Sequence, residues 1–287
     1  MKLGLCLSGG GTKGIAHIGA IKALQEENID FDYIAGTSSG SIVAMLYALG
    51  YTPEEMYEIF KKYVKKIKYF DFKNFLNIII NFLRTGKLQI IGLNSGETIY
   101  KLINKLGKEK GISNINQIDI PLLIPAVNIY NEQLYVFYSK ENNQISQMSN
   151  IRYVRDADIG TVVQASCSYP GIFCPCDKFE DALLIDGGIV ENVPWREEKR
   201  VGADKVISIV FSDSAPKKCC SSIVEILSKS FGILCHELTK YEWSGTDYLL
   251  EIKTNTNGLL DKKHLDKLYQ KGYIQTKQFI KNNRGLT

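Results

Sequence analysis

Three short segments of this chain carry residue types that could together break an ester. The first is Gly36-Thr37-Ser38-Ser39-Gly40, a serine at the centre of a G-x-S-x-G pentapeptide. An apolar stretch from Tyr33 to Ala35 leads into it, and a helix-forming run from Ile42 to Leu49 leads out. A serine at a sharp strand-to-helix turn has its hydroxyl lifted clear of the backbone. Gly36 and Gly40 remove the β-carbons that would collide in so tight a bend. The amides that open the helix favour negative charge near that hydroxyl. Alone the pentapeptide is a weak signal, because glycine and serine are common in ordinary turns.

The second segment is Ser8-Gly9-Gly10-Gly11-Thr12-Lys13-Gly14, set between the apolar run Leu3 to Leu7 and a helical pattern. Three consecutive glycines leave backbone N–H groups unobstructed beside the positive end of a helix, a nest for an anion. A Walker phosphate loop needs G-x-x-x-x-G-K-[ST]; here Lys13 is followed by Gly14, so the pattern fails. The dinucleotide fingerprint fits poorly, since no acidic residue closes a second strand at the required distance. An oxyanion hole formed by the amides of Gly9, Gly10 and Gly11 is the third reading, and a tight turn without a ligand is the bland one. One strand-helix-strand crossover separates this loop from Ser38. Both therefore belong at the carboxyl edge of a parallel sheet, where α/β folds place ligands.

The third segment is Leu183-Leu184-Ile185-Asp186-Gly187-Gly188. An aspartate followed by two glycines is also a common turn. At the end of an apolar strand, though, its carboxylate could take the proton of Ser38. With an ordinary pKa of about 3.9 it would be a poor base, so burial would have to raise it. A triad would also need a histidine. Of the three present, His17 lies one turn into the first helix, where packing beneath the glycine loop is the plain expectation. His236 and His264 fall late, in helical segments that suit surface or packing roles. The expectation is a Ser38–Asp186 dyad.

The elements that would position these residues alternate along the chain. Strands are expected at 3–7, 32–35, 182–185, 206–211 and 248–253, and helices at 14–27, 39–49, 159–166 and 261–280. Thr52-Pro53-Glu54-Glu55 combines an N-cap, a first-turn proline and a capping-box glutamate, so another helix starts there. The segments 118–130 and 134–139 flank a polar turn and suggest a hairpin. Pro121 and Pro125 make the first of these an edge or irregular strand. Strands separated by helices argue for an α/β chain with a mostly parallel sheet covered on both faces. Residues 1–215 read as the catalytic unit and 216–287 as an extension packed on the same core.

Composition fits a globular protein: 287 residues, 45% hydrophobic and 23% charged. A net charge of +4 does not suggest nucleic-acid binding. The N-terminal apolar run is too short for a signal peptide, and no apolar run reaches the length of a membrane span. A cytoplasmic protein is expected, peripheral at membranes if anything. The seven cysteines show no zinc-site spacing and read as reduced thiols, so neither a metal nor a cofactor is expected. The stretch Lys61–Lys87 mixes eight basic residues with aromatics and aliphatics against a single acid, Asp71. It suits contact with an anionic membrane surface, an apolar lid, or simply an amphipathic helix with solvated lysines.

Taken along the chain as glycine loop, serine turn and aspartate turn, the three segments resemble the patatin-like phospholipase family. The resemblance covers about residues 2–213 and extends to Ala165-Ser166-Cys167-Ser168-Tyr169-Pro170 and to Asn192-Val193-Pro194. It implies a three-layer α/β/α fold and metal-independent hydrolysis of lipid acyl esters, phospholipids or lysophospholipids. Ser38 is then the nucleophile, Asp186 its dyad partner, and Gly9, Gly10 and Gly11 the oxyanion hole. Gly36, Gly40, Gly187 and Gly188 support the turns. Lys13 stands where family members more usually have arginine, which keeps the charge and loses any bidentate contact. The alternatives are an esterase, thioesterase or acyltransferase using the same dyad, or a lipid-binding protein without turnover.

Overall fold

The strand β1 (Leu3–Leu7) is buried along its whole length, and its side chains divide between two cores. Leu3, Leu5 and Leu7 join the larger core and Cys6 the smaller, as the two-residue period of a strand requires. β2 (Tyr33–Gly36) repeats this, with Ile34 on one side and Tyr33 and Ala35 on the other. Strands buried on both faces read as unbroken apolar runs, which is why the sequence shows no polar alternation here.

A computed structural model describes residues 1–67, 80, 84, 86, 92–140, 148–212, 223–255 and 262–286. Its further strands are β3 (Leu122–Asn128), β4 (Gln133–Tyr138), β5 (Ile151–Val154), β6 (Leu184–Asp186), β7 (Lys205–Ser212) and β8 (Tyr248–Lys253). The helices are α1 (Ile15–Gln25), α2 (Ser39–Ala48), α3 (Pro53–Lys66), α4 (Glu97–Glu109), α5 (Ile159–Ser166), α6 (Trp195–Arg200), α7 (Ile223–Trp243) and α8 (Leu265–Asn282). One sheet runs in the order β5-β4-β3-β2-β1-β7-β8, and β6 pairs with β3 off this path. Its pairings are parallel except β3 with β4 and β3 with β6. Helices α1, α2, α3 and α8 contribute to the larger core, and Trp195 of α6 and Trp243 of α7 pack on the smaller one. The result is the three-layer α/β/α architecture. β8 pairs with β7, and Leu265, Leu268 and Ile280 of α8 join the larger core.

Local signals hold where they were strongest. Thr52 caps α3 with its capping box closed by Glu55, and Gly50 takes a positive φ of 77° just after α2. Two expectations need correction. β3 is neither an edge strand nor irregular: it lies between β2 and β4. Pro125 is tolerated because β2 pairs with β3 only as far as Leu123 and β6 begins at Ala126. The missing N–H thus falls in the gap between two neighbours. The strand expected at 182–185 instead spans Leu184–Asp186 and runs antiparallel to β3, so Asp186 does not sit on a parallel strand end. Of the Lys61–Lys87 stretch, most lies outside the described residues. Within it, Lys61 Nζ pairs with Asp266 at 2.7 Å, so at least this lysine is tied to the fold.

Candidate active site

Ser38 occupies the turn from β2 into α2 with φ 53° and ψ −123°, a backbone conformation that L-residues with side chains rarely adopt. Such strain costs about 1–3 kcal/mol and persists only where the surroundings enforce it. The enforcement here is visible. A β-carbon on Gly40 would lie 2.2 Å from the Leu7 carbonyl oxygen, and one on Gly36 would lie 2.4 Å from the Gly40 oxygen. The first turn of α2 thus packs directly against the backbone of β1, and only glycine fits at either position. The backbone of Ser38 is held as well. Its N–H donates to Ser166 Oγ at 3.0 Å, and its carbonyl accepts from Ser41 Oγ at 2.6 Å and Cys167 Sγ at 3.1 Å.

The glycine loop lies against this turn. A β-carbon on Gly9 would sit 3.0 Å from Ser38 Cβ and 2.6 Å from Asn192 Oδ1. One on Gly10 would strike the Phe211 ring at 2.5 Å, and Gly11 adopts φ 62°. The Gly9 N–H donates to Asn192 Oδ1 at 2.9 Å, so it is already engaged. Lys13, 8% exposed, follows in the short 3-10 turn Gly11–Gly14, whose Lys13 N–H returns to the Gly10 carbonyl at 3.3 Å. His17 is fully buried beneath the loop, and its Nε2 donates to the Ser8 carbonyl at 2.8 Å. A carbonyl only accepts, so the proton is on Nε2. Burial pushes the imidazole pKa down to about 4 and keeps the ring neutral. The ring stacks on Phe211 at 4.4 Å between centroids. His17 is therefore a support for the loop. His236 and His264 are exposed.

Asp186 ends β6 and is 1% exposed. Its N–H donates to the Ser168 carbonyl at 3.1 Å, and its Oδ1 accepts the Gly188 N–H at 2.8 Å. Burial pushes this carboxyl up to about 7, against the Ser38 hydroxyl and the Gly188 N–H, which lower it. The Ser38 hydroxyl thus acts on this carboxyl, and its Oδ2 is buried with no hydrogen-bond partner. A β-carbon on Gly187 would lie 2.4 Å from the Pro125 oxygen, and one on Gly188 would lie 2.9 Å from Asn192 Oδ1. Ser38, Gly9, Asp186 and the two glycines after it therefore come together.

Several residues with no role in the sequence reading hold these parts in register. The segment Ser166–Ser168 bridges the two candidate residues, with the Ser166 hydroxyl on the Ser38 N–H and the Ser168 carbonyl on the Asp186 N–H. Asn192 joins the glycine loop to α7: Nδ2 donates to Thr239 Oγ1 at 3.1 Å and its backbone N–H to Glu242 Oε2 at 2.9 Å. Glu242 is 5% exposed, and burial pushes its carboxyl up to about 7. Both stretches stood in the sequence only as parts of a resemblance. Their contacts with the serine turn and the glycine loop span 128 and 183 positions, and no local pattern names them. Among the described residues no three His, Cys, Asp or Glu side chains are grouped to hold a metal ion.

Comparison with known proteins follows the same boundaries. A family model described as patatin-like phospholipase matches residues 5–198, which contain every residue of the three turns. The chain belongs to this family. It is 31% identical over 244 residues to the protein YqhO of Bacillus subtilis, covering 78% of this chain and 77% of that one. It is 27% identical over 207 residues to the lysophospholipase NTE1 of Meyerozyma guilliermondii, covering 72% of this chain and 12% of that one. The chain thus spans about an eighth of the length of the fungal relatives. Among solved structures, VipD from Legionella pneumophila superposes with a TM-score of 0.53 at 17% identity, over 98% of this chain and 67% of that one. At that identity the likeness shows the patatin-like fold alone. No described helix is long and apolar enough to cross a membrane.

Proposed function

We propose that this protein is a serine acyl hydrolase that cleaves fatty-acyl esters of phospholipids or lysophospholipids. The observation that carries the reading is the strained Ser38 in reach of a 1% exposed carboxyl held at about 7 by burial. A base poised near neutrality is suited to take a proton from a serine and return it. In this reading Ser38 Oγ attacks the ester carbonyl carbon and its proton passes to Asp186 Oδ2. The tetrahedral oxyanion faces the glycine loop. Because the Gly9 N–H already serves Asn192, the proposed donors narrow to the Gly10 and Gly11 amides. Collapse breaks the bond to the alcohol oxygen, which takes the proton from Asp186 as it leaves. Water then attacks the acyl-Ser38 carbonyl, losing its proton to Asp186. The second collapse releases the fatty acid and returns that proton to Ser38.

The lipid class rests on membership of a phospholipase family and on relatives named lysophospholipases. Two measurements test the reading. The wild-type protein is expected to be labelled at Ser38 by a fluorophosphonate probe, and to release fatty acid from a phospholipid panel followed by mass spectrometry. Ser38→Ala is expected to lower turnover by at least about 10⁴-fold with unchanged circular dichroism. A folded Ser38→Ala protein that turns over these lipids normally would end the proposal.

A further inference from the structure

Helix α7 leaves several large apolar side chains in water. Surface helices normally bury an apolar stripe and expose polar residues. The side of α7 that meets the site loop carries Thr239 and Glu242, 7% and 5% exposed, which accept from Asn192, and Val193 also donates to Glu242 Oε2. Trp195 Nε1 donates to the Glu242 carbonyl at 2.7 Å, and Phe231 packs edge-on against Tyr169 at 5.7 Å. The opposite side presents Ile226, Ile233, Leu234 and Tyr241, exposed by 50%, 63%, 68% and 77%. Their spacings of seven and eight residues place all four within one arc of the helix. Ser230 and Glu237 interrupt the stripe, and Glu237 is neutralised by Lys240 at 2.8 Å. Removing this apolar surface from water needs a neighbour that the described residues do not supply.

We propose that the outer face of α7 is a docking surface for a lipid bilayer, which holds the protein on the membrane that carries its substrate. The inference rests on the lipid-hydrolase reading. Three features favour a bilayer over a protein. The inner face of the same helix holds the loop that positions Gly9, so a surface docked on the outer face lies one helix away from the site. Four side chains on one convex helix fall well short of the 20–30 residues a side that a stable protein interface needs. With Glu237 and Lys240 paired, the stripe carries no charge pattern for an acidic or basic partner to match. A tyrosine at one end suits the boundary between acyl chains and headgroups.

Sedimentation with phosphatidylcholine vesicles tests this directly. The double substitution Ile233→Ser with Leu234→Gln is expected to lower partitioning at least about tenfold. The swap Ile233→Leu with Leu234→Ile should retain it, and neither should lower the melting temperature, because these side chains are exposed in the folded state. Ser38→Ala protein should bind vesicles like wild type, so loss of docking and loss of hydrolysis are read separately. Equal binding by wild type and the polar double variant would overturn the proposal. So would a concentration-dependent dimer in sedimentation equilibrium that the polar variant abolishes, since the face would then belong to a second copy of the chain.

Discussion

The serine turn and the aspartate turn hold the two ends of one proposed dyad by different physics. Around Ser38 the constraint is mainly steric, set by close backbone approach of α2 to β1. Two glycines within five residues let α2 press on β1, and the strained backbone of the serine between them follows. Around Asp186 the constraint is solvation and long-range hydrogen bonding. A three-residue antiparallel strand leaves the carboxyl 1% exposed, and Ser168, Gly188 and the neighbouring Asn192 set its place. The first turn can be written in a pentapeptide. The second exists only once β3, α5 and α7 have assembled around it.

That contrast has sharp consequences. Asp186→Asn is expected to cut turnover by about 10³–10⁴-fold, comparable to the loss of a catalytic orienting carboxylate elsewhere. The same change should stabilise the fold. With the folded pKa near 7 and the ordinary value at 3.8, the folded state holds its proton more tightly than the unfolded chain. Ionisation therefore drains stability as pH rises from about 4 through about 7, by up to about 4 kcal/mol. Asn cannot ionise, so the variant should melt higher than wild type at about pH 8, and the gap should vanish near pH 4. Wild-type activity should move the other way, rising through about pH 7 as the base form appears. Equal melting at both pH values would show that burial does not govern this carboxyl.

Gly40→Ala tests the steric turn. Its new methyl would meet the Leu7 and Ser8 carbonyl oxygens, which belong to backbone and cannot swing aside. A loss of about 3 kcal/mol or more in denaturant unfolding is expected, falling on stability as much as on turnover. A variant as stable as wild type would mean that the turn is not compressed. The smallest effect belongs to the link between the two regions. Asn192→Ala removes the acceptor of the Gly9 N–H and is expected to lower kcat about tenfold, with KM changed less than about threefold. A pure rise in KM would place Asn192 in substrate binding.

The three chemical segments were legible because each is a short run with its own steric logic. Glycine spacing marks sharp turns wherever it occurs, and apolar runs mark buried parallel strands. Helix α3 was legible from Thr52, Pro53 and Glu55 because a capping box is a contact between near neighbours. Pro125 misled because proline usually disqualifies a central strand, and only the exchange of β2 for β6 beside β3 removes the penalty. Helices α4 and α6 and the strand β5 went unread, and α7 was read only as a helical segment around His236; its inward side mixes Trp243 and Phe231 with the polar Thr239 and Glu242, so no clean stripe marks its length.

What the residues alone determined is the set of backbone turns: where glycine is required, where a strand gives way to a helix, and which hydroxyl and carboxyl stand at those turns. These follow from sterics over a handful of neighbouring atoms. Tertiary structure decided the rest. It pushed the Asp186 carboxyl up to about 7, gave the Gly9 amide to Asn192 across 183 positions, and left an apolar helix face in water. Desolvation and partner choice depend on everything within several ångströms of an atom, and that neighbourhood comes into being only when the whole chain has folded.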